Sequence, residues 1–463
     1  MLSVAGSQVS YEHDLAVIER LSATPANTAH ELEKALKLIY SRAANANLDA
    51  YDVHEVAGDA VSIQYRLFDV RMRLRERLAE FESKGLMSQG VQEALRDVFR
   101  ILRYVNDMVG EVALAQGKHV ATGEGLRGFT GDETNTLVNW RFFAPNKGRD
   151  IGFRSGDVIL VRGERHNSAA IARIGDVDSQ FSHICMVYLD EGGAHFVVES
   201  LIEDGAVFGS LARALDDHIA RAVLYRHKDR ELAARAAKLI YEHVKASRQG
   251  IGKRILYDFS MRLDARKRLF CSKLVRLAFD MASEGAVKLP RYPTHIGMQN
   301  RDFLRRIGVA ATQTFAPGDI DMEKEFDLVC EWQDYTKTAS VRLQDFACDK
   351  LFEWMDTYGF RFKETVLIRV VAFLGRLSAY FSDSAKDILS SVAPKVPINM
   401  RRGAVAAVAM LHKTAEPIYR ELVAANDASM VKHGRPLHGN EIFELLEDIR
   451  RREGHHIGYL TAG

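Results

Sequence analysis

Three side chains in this sequence have the types and the order that thiol chemistry needs: Cys271, His183 and Glu199. Cys271 sits in LFCSKLVRLAF, where Val275 and Ala278 follow at i+4 and i+7, so the sulfur shares the inward face of a helix that it opens. The unpaired N–H groups and the dipole at a helix N-terminus favour an anion, which lowers a thiol pKa and raises the reactive thiolate fraction. Taken alone such a cysteine is more often a packing residue than a nucleophile, and as a nucleophile it needs a base. His183 opens the apolar strand SHICMVYLD, whose alternation places His183, Cys185 and Val187 on one face and Ile184, Met186 and Tyr188 on the other. The next strand, HFVVES, carries Glu199, and a loop of three or five residues around Asp190 to Gly193 predicts a register with His183 directly opposite Glu199. A carboxylate beside the ring holds its tautomer and supports the imidazolium, leaving the other nitrogen to face a thiolate. Together the three fit the nucleophile, base and orienter of thiol catalysis.

Competing uses of nearby residues are weaker. Cys185 shares the strand face of His183, yet a mid-strand thiol lacks the helix dipole and reads as core packing, as do Cys330 and Cys348. His183, Glu199 and His195 could be grouped as metal ligands, but no further ligand is spaced to complete the set, and neither a metal nor another cofactor is expected. Gly123-x-Gly125-x-x-Gly128 has the form of a dinucleotide fingerprint, but it follows a helical pattern instead of a strand and no helix clearly opens after it. His455 and His456 belong to a polar tail.

The elements that must position these residues follow from periodicity. From Tyr11 to about Ala115 the spacing is helical: Leu67, Val70, Leu74, Leu78 and Phe81 form one stripe, and Val91, Leu95, Val98, Leu102, Val105 and Val109 another. Arg66, Arg71, Arg73, Arg75 and Arg77, mixed with Asp69, Glu76 and Glu80, read as a solvated, charge-balanced face. Residues 116–150 read as a connection containing GKHVATGEGLRGFTGDETNTL, which puts a boundary near residue 145. From Ile151 short β-branched runs predict a meandering sheet with strands at Val158–Val161, Ile184–Tyr188, Phe196–Leu201 and Ala222–Tyr225. Asp229 caps a helix running to about Ala246, and a second helix runs from about Cys271 to about Met281. After about Val329 helical patterns return and continue to Arg452, interrupted near Pro394 and Pro397. The expected architecture is therefore α+β, with helical regions at 1–145 and 331–463 flanking a central domain at 146–330.

Composition bounds the function. The chain has 463 residues, 63 Lys+Arg against 62 Asp+Glu, and 47% hydrophobic residues, so disorder is excluded as the dominant state and large cores are expected. A pI of 7.8 lacks the basic footprint of a protein that coats nucleic acid. The four cysteines show no CxxC pairing and read as reduced thiols. No secretory leader is visible in MLSVAGSQVSYEHDLAVIERL and no apolar run, such as Ala404 to Leu411, approaches the ~20 residues of a spanning helix, so a cytoplasmic location is expected.

The order GDVILVRG, SHICMVY, VVES, YDFSMRLD and FCSKLVRLAF resembles the circularly permuted papain-like cysteine hydrolases, relatives of NlpC-type bacterial cell-wall amidases and lecithin:retinol acyltransferase-like enzymes, over roughly residues 150 to 330. In that family the histidine precedes the cysteine, as here. The resemblance implies Cys271 as nucleophile, His183 as general base and Glu199 as the polar member that orients it. It also matches Gly156 and Asp157 to the turn opening the first strand, Tyr257 and Asp258 to a segment just upstream of the nucleophile helix, and Ala316 to Ile320 to a closing turn and strand. Many relatives carry an acidic residue two positions after the cysteine, where this chain has Lys273. The implied chemistry is an acyl-enzyme route, with the Cys271 backbone N–H as the default oxyanion donor and Tyr257 and Ser182 as side-chain candidates. Three functions are then in contention: hydrolysis of an amide in a cell-wall peptide or small peptide conjugate, hydrolysis or transfer of a lipid acyl group with the helical flanks touching a membrane, and a catalytically silent binding module. A toxin exported by a dedicated secretion machine, with a delivery or immunity partner for the flanks, is a further reading of the same features.

Overall fold

Apolar residues three and four apart give the N-terminal part of the chain one buried face per helix. The structure is a computed structural model that describes residues 11–119, 134–143, 151–164, 166–215, 218–249, 254–264, 266–297, 301–365, 368 and 399–462. The glycine fingerprint at 123–128 and the prolines at 394 and 397 lie outside these residues. Helices α1 (Tyr11–Ala23), α2 (Ala29–Ala44), α3 (Val53–Gly58), α4 (Ala60–Glu76), α5 (Leu78–Ser83) and α6 (Gln89–Ala115) share one core. Thr28 and Ser88 cap α2 and α6 by accepting from the backbone N–H groups of Glu31 and Val91. Both predicted stripes face that core, the first split across α4 and α5 at Arg77 and the second running the length of α6.

The five arginines of the first stripe do not form a solvated face. Arg71 and Arg75 are buried, at 0% and 7% exposure. Arg71 pairs with Glu331, and Arg75 donates to the carbonyls of Ile320 (3.0 Å), Glu323 (3.2 Å) and Phe326 (2.6 Å). Arg66 holds Glu12 and Glu19, while Arg73 and Arg77 reach the end of α1 through Ser22. Arginine is suited to this because its planar fork satisfies several acceptors at once.

The central sheet has seven antiparallel strands in the order β1-β9-β6-β2-β3-β4-β5: β1 (Thr136–Val138), β2 (Val158–Gly163), β3 (His183–Leu189), β4 (His195–Leu201), β5 (Gly205–Ser210), β6 (Ile219–His227) and β9 (Phe326–Gln333). All four predicted strands are present. β5 escapes the alternation pattern because glycine occupies both ends of its core, at Gly205 and Gly209. β9 replaces the helix expected from about Val329, and helix begins only at Tyr335; the buried Glu331 interrupts the apolar run that would mark a strand. The sheet thus reaches beyond residues 146 and 330 at both ends. One of its faces, with Val158, Leu160, Ile184, Met186, Val198 and Val223, packs under α9 (Arg230–Gln249) and α10 (Cys271–Ala282). The other carries Ile159, Val161, Cys185, Val187, Val197 and Leu224.

The turn into β2 fixes how α9 lies on the sheet. Gly156 adopts φ +90°, and a Cβ there would stand 2.5 Å from backbone atoms of Ala233 in α9. Asp157 beside it is buried and holds Arg226 of β6 through both carboxylate oxygens, at 2.7 and 2.6 Å. Beyond the sheet, α12 (Tyr335–Thr357), α13 (Arg402–His433) and α14 (Gly439–Glu453) enclose a separate core. The tail is not loose: His456–Ile457 and Leu460–Thr461 form a small sheet with Arg361–Phe362. Among the described residues no helix is long and apolar enough to cross a membrane.

Candidate active site

Cys271 is the first residue of α10, and its N-cap, Phe270, offers no side-chain hydrogen bond to the first turn. The sulfur therefore meets N–H groups that no cap has claimed. Helix packing on the sheet leaves Cys271 only 5% exposed. His183 is the first residue of β3 and keeps 21% of its side chain open. Its Nε2 lies 2.7 Å from Glu199 Oε2 on β4, and its ring is close enough to Cys271 for the two groups to shift each other's ionisation. With Nε2 engaged, Nδ1 is the nitrogen left for sulfur.

The structure brings the three residues together through a register different from the expected one. The β3–β4 hairpin pairs Met186 with Val198 and Leu189 with His195, which, continued, sets Glu199 opposite Cys185 and two residues short of the partner of His183. A slip of two keeps every side chain on its own face, and a glutamate is long enough to reach a diagonal neighbour. The loop is five residues, Asp190 to Ala194, closed by Asp190 N–H donating to Ala194 O at 3.1 Å.

Electrostatics then separate the four thiols. Burial pushes the Cys271 thiol up, but the hydrogen bond and positive charge of His183, with the Ser272 hydroxyl and amide, outweigh it and hold the group below the ordinary thiol range. Burial pulls the His183 ring down, and its hydrogen bonds to Cys271 and Glu199 more than reverse this, to about 10. The imidazolium thus favours the thiolate and the thiolate favours the imidazolium. Burial drives Cys185 and Cys330 far above the ordinary thiol range, and for Cys185 the charges of Glu199 and Cys271 add to it. Burial also raises Cys348, to about 12.

The other sequence candidates divide. Tyr257 is buried at 4% exposure; burial raises its phenol strongly and the charge of Cys271 adds to the rise, so it stays a protonated donor within electrostatic reach of the sulfur. Ser182 is engaged with β2 instead: its hydroxyl donates to Val161 O at 3.4 Å and accepts from Gly163 N–H at 3.3 Å. His195 is exposed with its ring against Phe153, and among the described residues no three His, Cys, Asp or Glu gather to hold a metal ion. Lys273 does not curl toward the sulfur but pairs with Asp258 at 2.7 Å. Ser200, which no motif singled out, donates its hydroxyl to Leu269 O at 2.6 Å and ties the strand of Glu199 to the approach to Cys271.

Comparison with curated proteins and with solved structures found no match. Residues 153–350, which include Cys271, His183 and Glu199, do match a family model, that of the permuted papain-like amidase enzymes, YaeF/YiiX, C92 family, and this part of the chain is accordingly a circularly permuted papain-like cysteine hydrolase domain.

Proposed function

We propose that the protein hydrolyses an amide bond in a cell-wall peptide or a small peptide conjugate through a thioester at Cys271. The observation that carries this reading is the single imidazole of His183, hydrogen-bonded to Glu199 and electrostatically linked to a cysteine at a helix start. The Cys271 thiolate adds to the substrate carbonyl, and the oxyanion that forms meets the backbone N–H at the start of α10. Protonated His183 gives its proton to the leaving amine as the C–N bond breaks, leaving an acyl thioester. Water then attacks the thioester, His183 takes its proton, and the acid departs. Glu199 fixes the ring and stabilises its charged form throughout. The amidase family match favours an amide over the ester of a lipid.

Incubation with peptidoglycan fragments and, separately, with phospholipid vesicles, with products followed by mass, tests the proposal. Cleaved amides from the first substrate are expected, lost in Cys271→Ala and kept in Cys185→Ala. Fatty acid released only from vesicles would replace the amide reading with the acyl-lipid one, and no product from either would leave a binding module.

A further inference from the structure

A lysine within the first turn of a helix that opens on a thiolate opposes the helix dipole, and burial strips its hydration. Lys273 is nonetheless 2% exposed and directs its ammonium to Asp258. The other oxygen of Asp258 accepts from the Ser260 amide at 3.1 Å and the Ser260 hydroxyl at 2.6 Å. The stretch around Asp258 is also fastened by its backbone: Asp258 N–H donates to Leu269 O at 3.2 Å and Leu269 N–H to Leu256 O at 3.1 Å. From the C-terminal region, Asn399 Nδ2 donates to Tyr257 O at 2.7 Å. These contacts form a strap over residues 256–260 that is locked to the start of α10: Tyr257 bridges Leu269, two residues before Cys271, and its phenol feels the charge of Cys271.

We propose that Lys273 and Asp258 are positioning residues that hold the Tyr257 phenol beside Cys271, where it donates to the oxyanion of the acyl transfer. The pair acts through Tyr257 and leaves the sulfur itself untouched. This rests on Cys271 being the nucleophile, and it explains why a charge that would disfavour the strap alone is retained there with its partner.

The test uses p-nitrophenyl acetate, from which the Cys271 thiolate takes the acetyl group as p-nitrophenolate leaves. Lys273→Met/Asp258→Asn removes both charges together and strands neither. This double variant and Tyr257→Phe are each expected to lower kcat by roughly 10- to 100-fold with KM little changed. Combining all three should cost no more than Tyr257→Phe alone, because residues acting through one group do not add. The pH profile of Cys271 alkylation by iodoacetamide should be the same in the double variant as in the wild type. Losses that multiply in the triple variant, an unchanged kcat in the double variant, or a displaced alkylation profile would each overturn the positioning role. Should the double variant fail to fold, Ser260→Ala, which frees one oxygen of Asp258 and keeps the ion pair, carries the same comparison: a severalfold loss that vanishes in the Tyr257→Phe background, or else rejection. Wild-type nitrophenolate release by Cys271→Ala would instead overturn the nucleophile, whatever the pair does.

Discussion

Burial opposes ionisation of the Cys271 sulfur and the positive ring of His183 favours it, and that balance can be titrated. The Cys271 thiol is held below its ordinary value, so its alkylation by iodoacetamide should have a half-maximal pH below the ~8.5 of a free cysteine. His183→Ala leaves burial opposed only by the Ser272 hydroxyl and amide, and the half-maximal pH of alkylation should then rise. In the wild type, turnover needs the protonated ring, so kcat should hold across neutral pH and fall on an alkaline limb near the His183 value of about 10. Glu199→Gln removes one of the groups that raise the ring, so the alkaline limb should shift to lower pH and turnover should drop by about 100-fold. The identities of these residues were legible because the chemistry restricts the residue types and because strand parity survives a slip of two. The Lys273–Asp258 pair was not: an ion pair between separate segments leaves no periodic trace in a sequence.

Among the elements, the junctions carry more of the architecture than the helices and strands themselves. At the turn into β2, a side chain at Gly156 would collide with the backbone of α9 and would be strained at φ +90°. Gly156→Ala should therefore cost about 1–3 kcal/mol or more, read from the urea midpoint. Under α4 and α6, the carboxylate of Glu331 on β9 faces Arg71 and Arg103, all three at 0–1% exposure. Glu331→Gln leaves the buried Arg71 guanidinium without a carboxylate while Arg103 keeps Asp321, and should lower stability by about 3–5 kcal/mol in the same measurement. Periodicity located α9 and α10 to within a few residues and marked the buried stripes of α4, α5 and α6 without their bounds, since a buried apolar stripe dictates each one. It misjudged the arginines because charge on a helix usually marks solvent, and the partners that bury Arg71 and Arg75 come from the strand and turn after Pro317, remote in sequence. The same buried Glu331 that neutralises Arg71 also disguised β9 as something other than a strand.

For the whole molecule, the helical flanks are not appendages to the matched segment at 153–350. Arg75 and Arg103 of the N-terminal helices hold the turn that leads into β9, Arg342 of α12 pairs with Glu111 of α6 at 2.7 Å, and Asn399 reaches the strap beside Cys271. Removing residues 1–119 would leave Asp321 buried without its arginines and Glu331 with Arg221 alone at 3.9 Å, and the remainder should show no cooperative unfolding transition in urea. The packing that welds these parts also narrows the way in. With 5% of Cys271 open, a reagent has little surface through which to reach the sulfur. Iodoacetamide should enter, whereas a maleimide carrying a bulky aromatic group should be turned away until the protein unfolds. For the proposed acyl transfer, such burial of the thiol predicts a donor whose scissile group sits on a slender, unbranched arm, whatever the size of the molecule behind it.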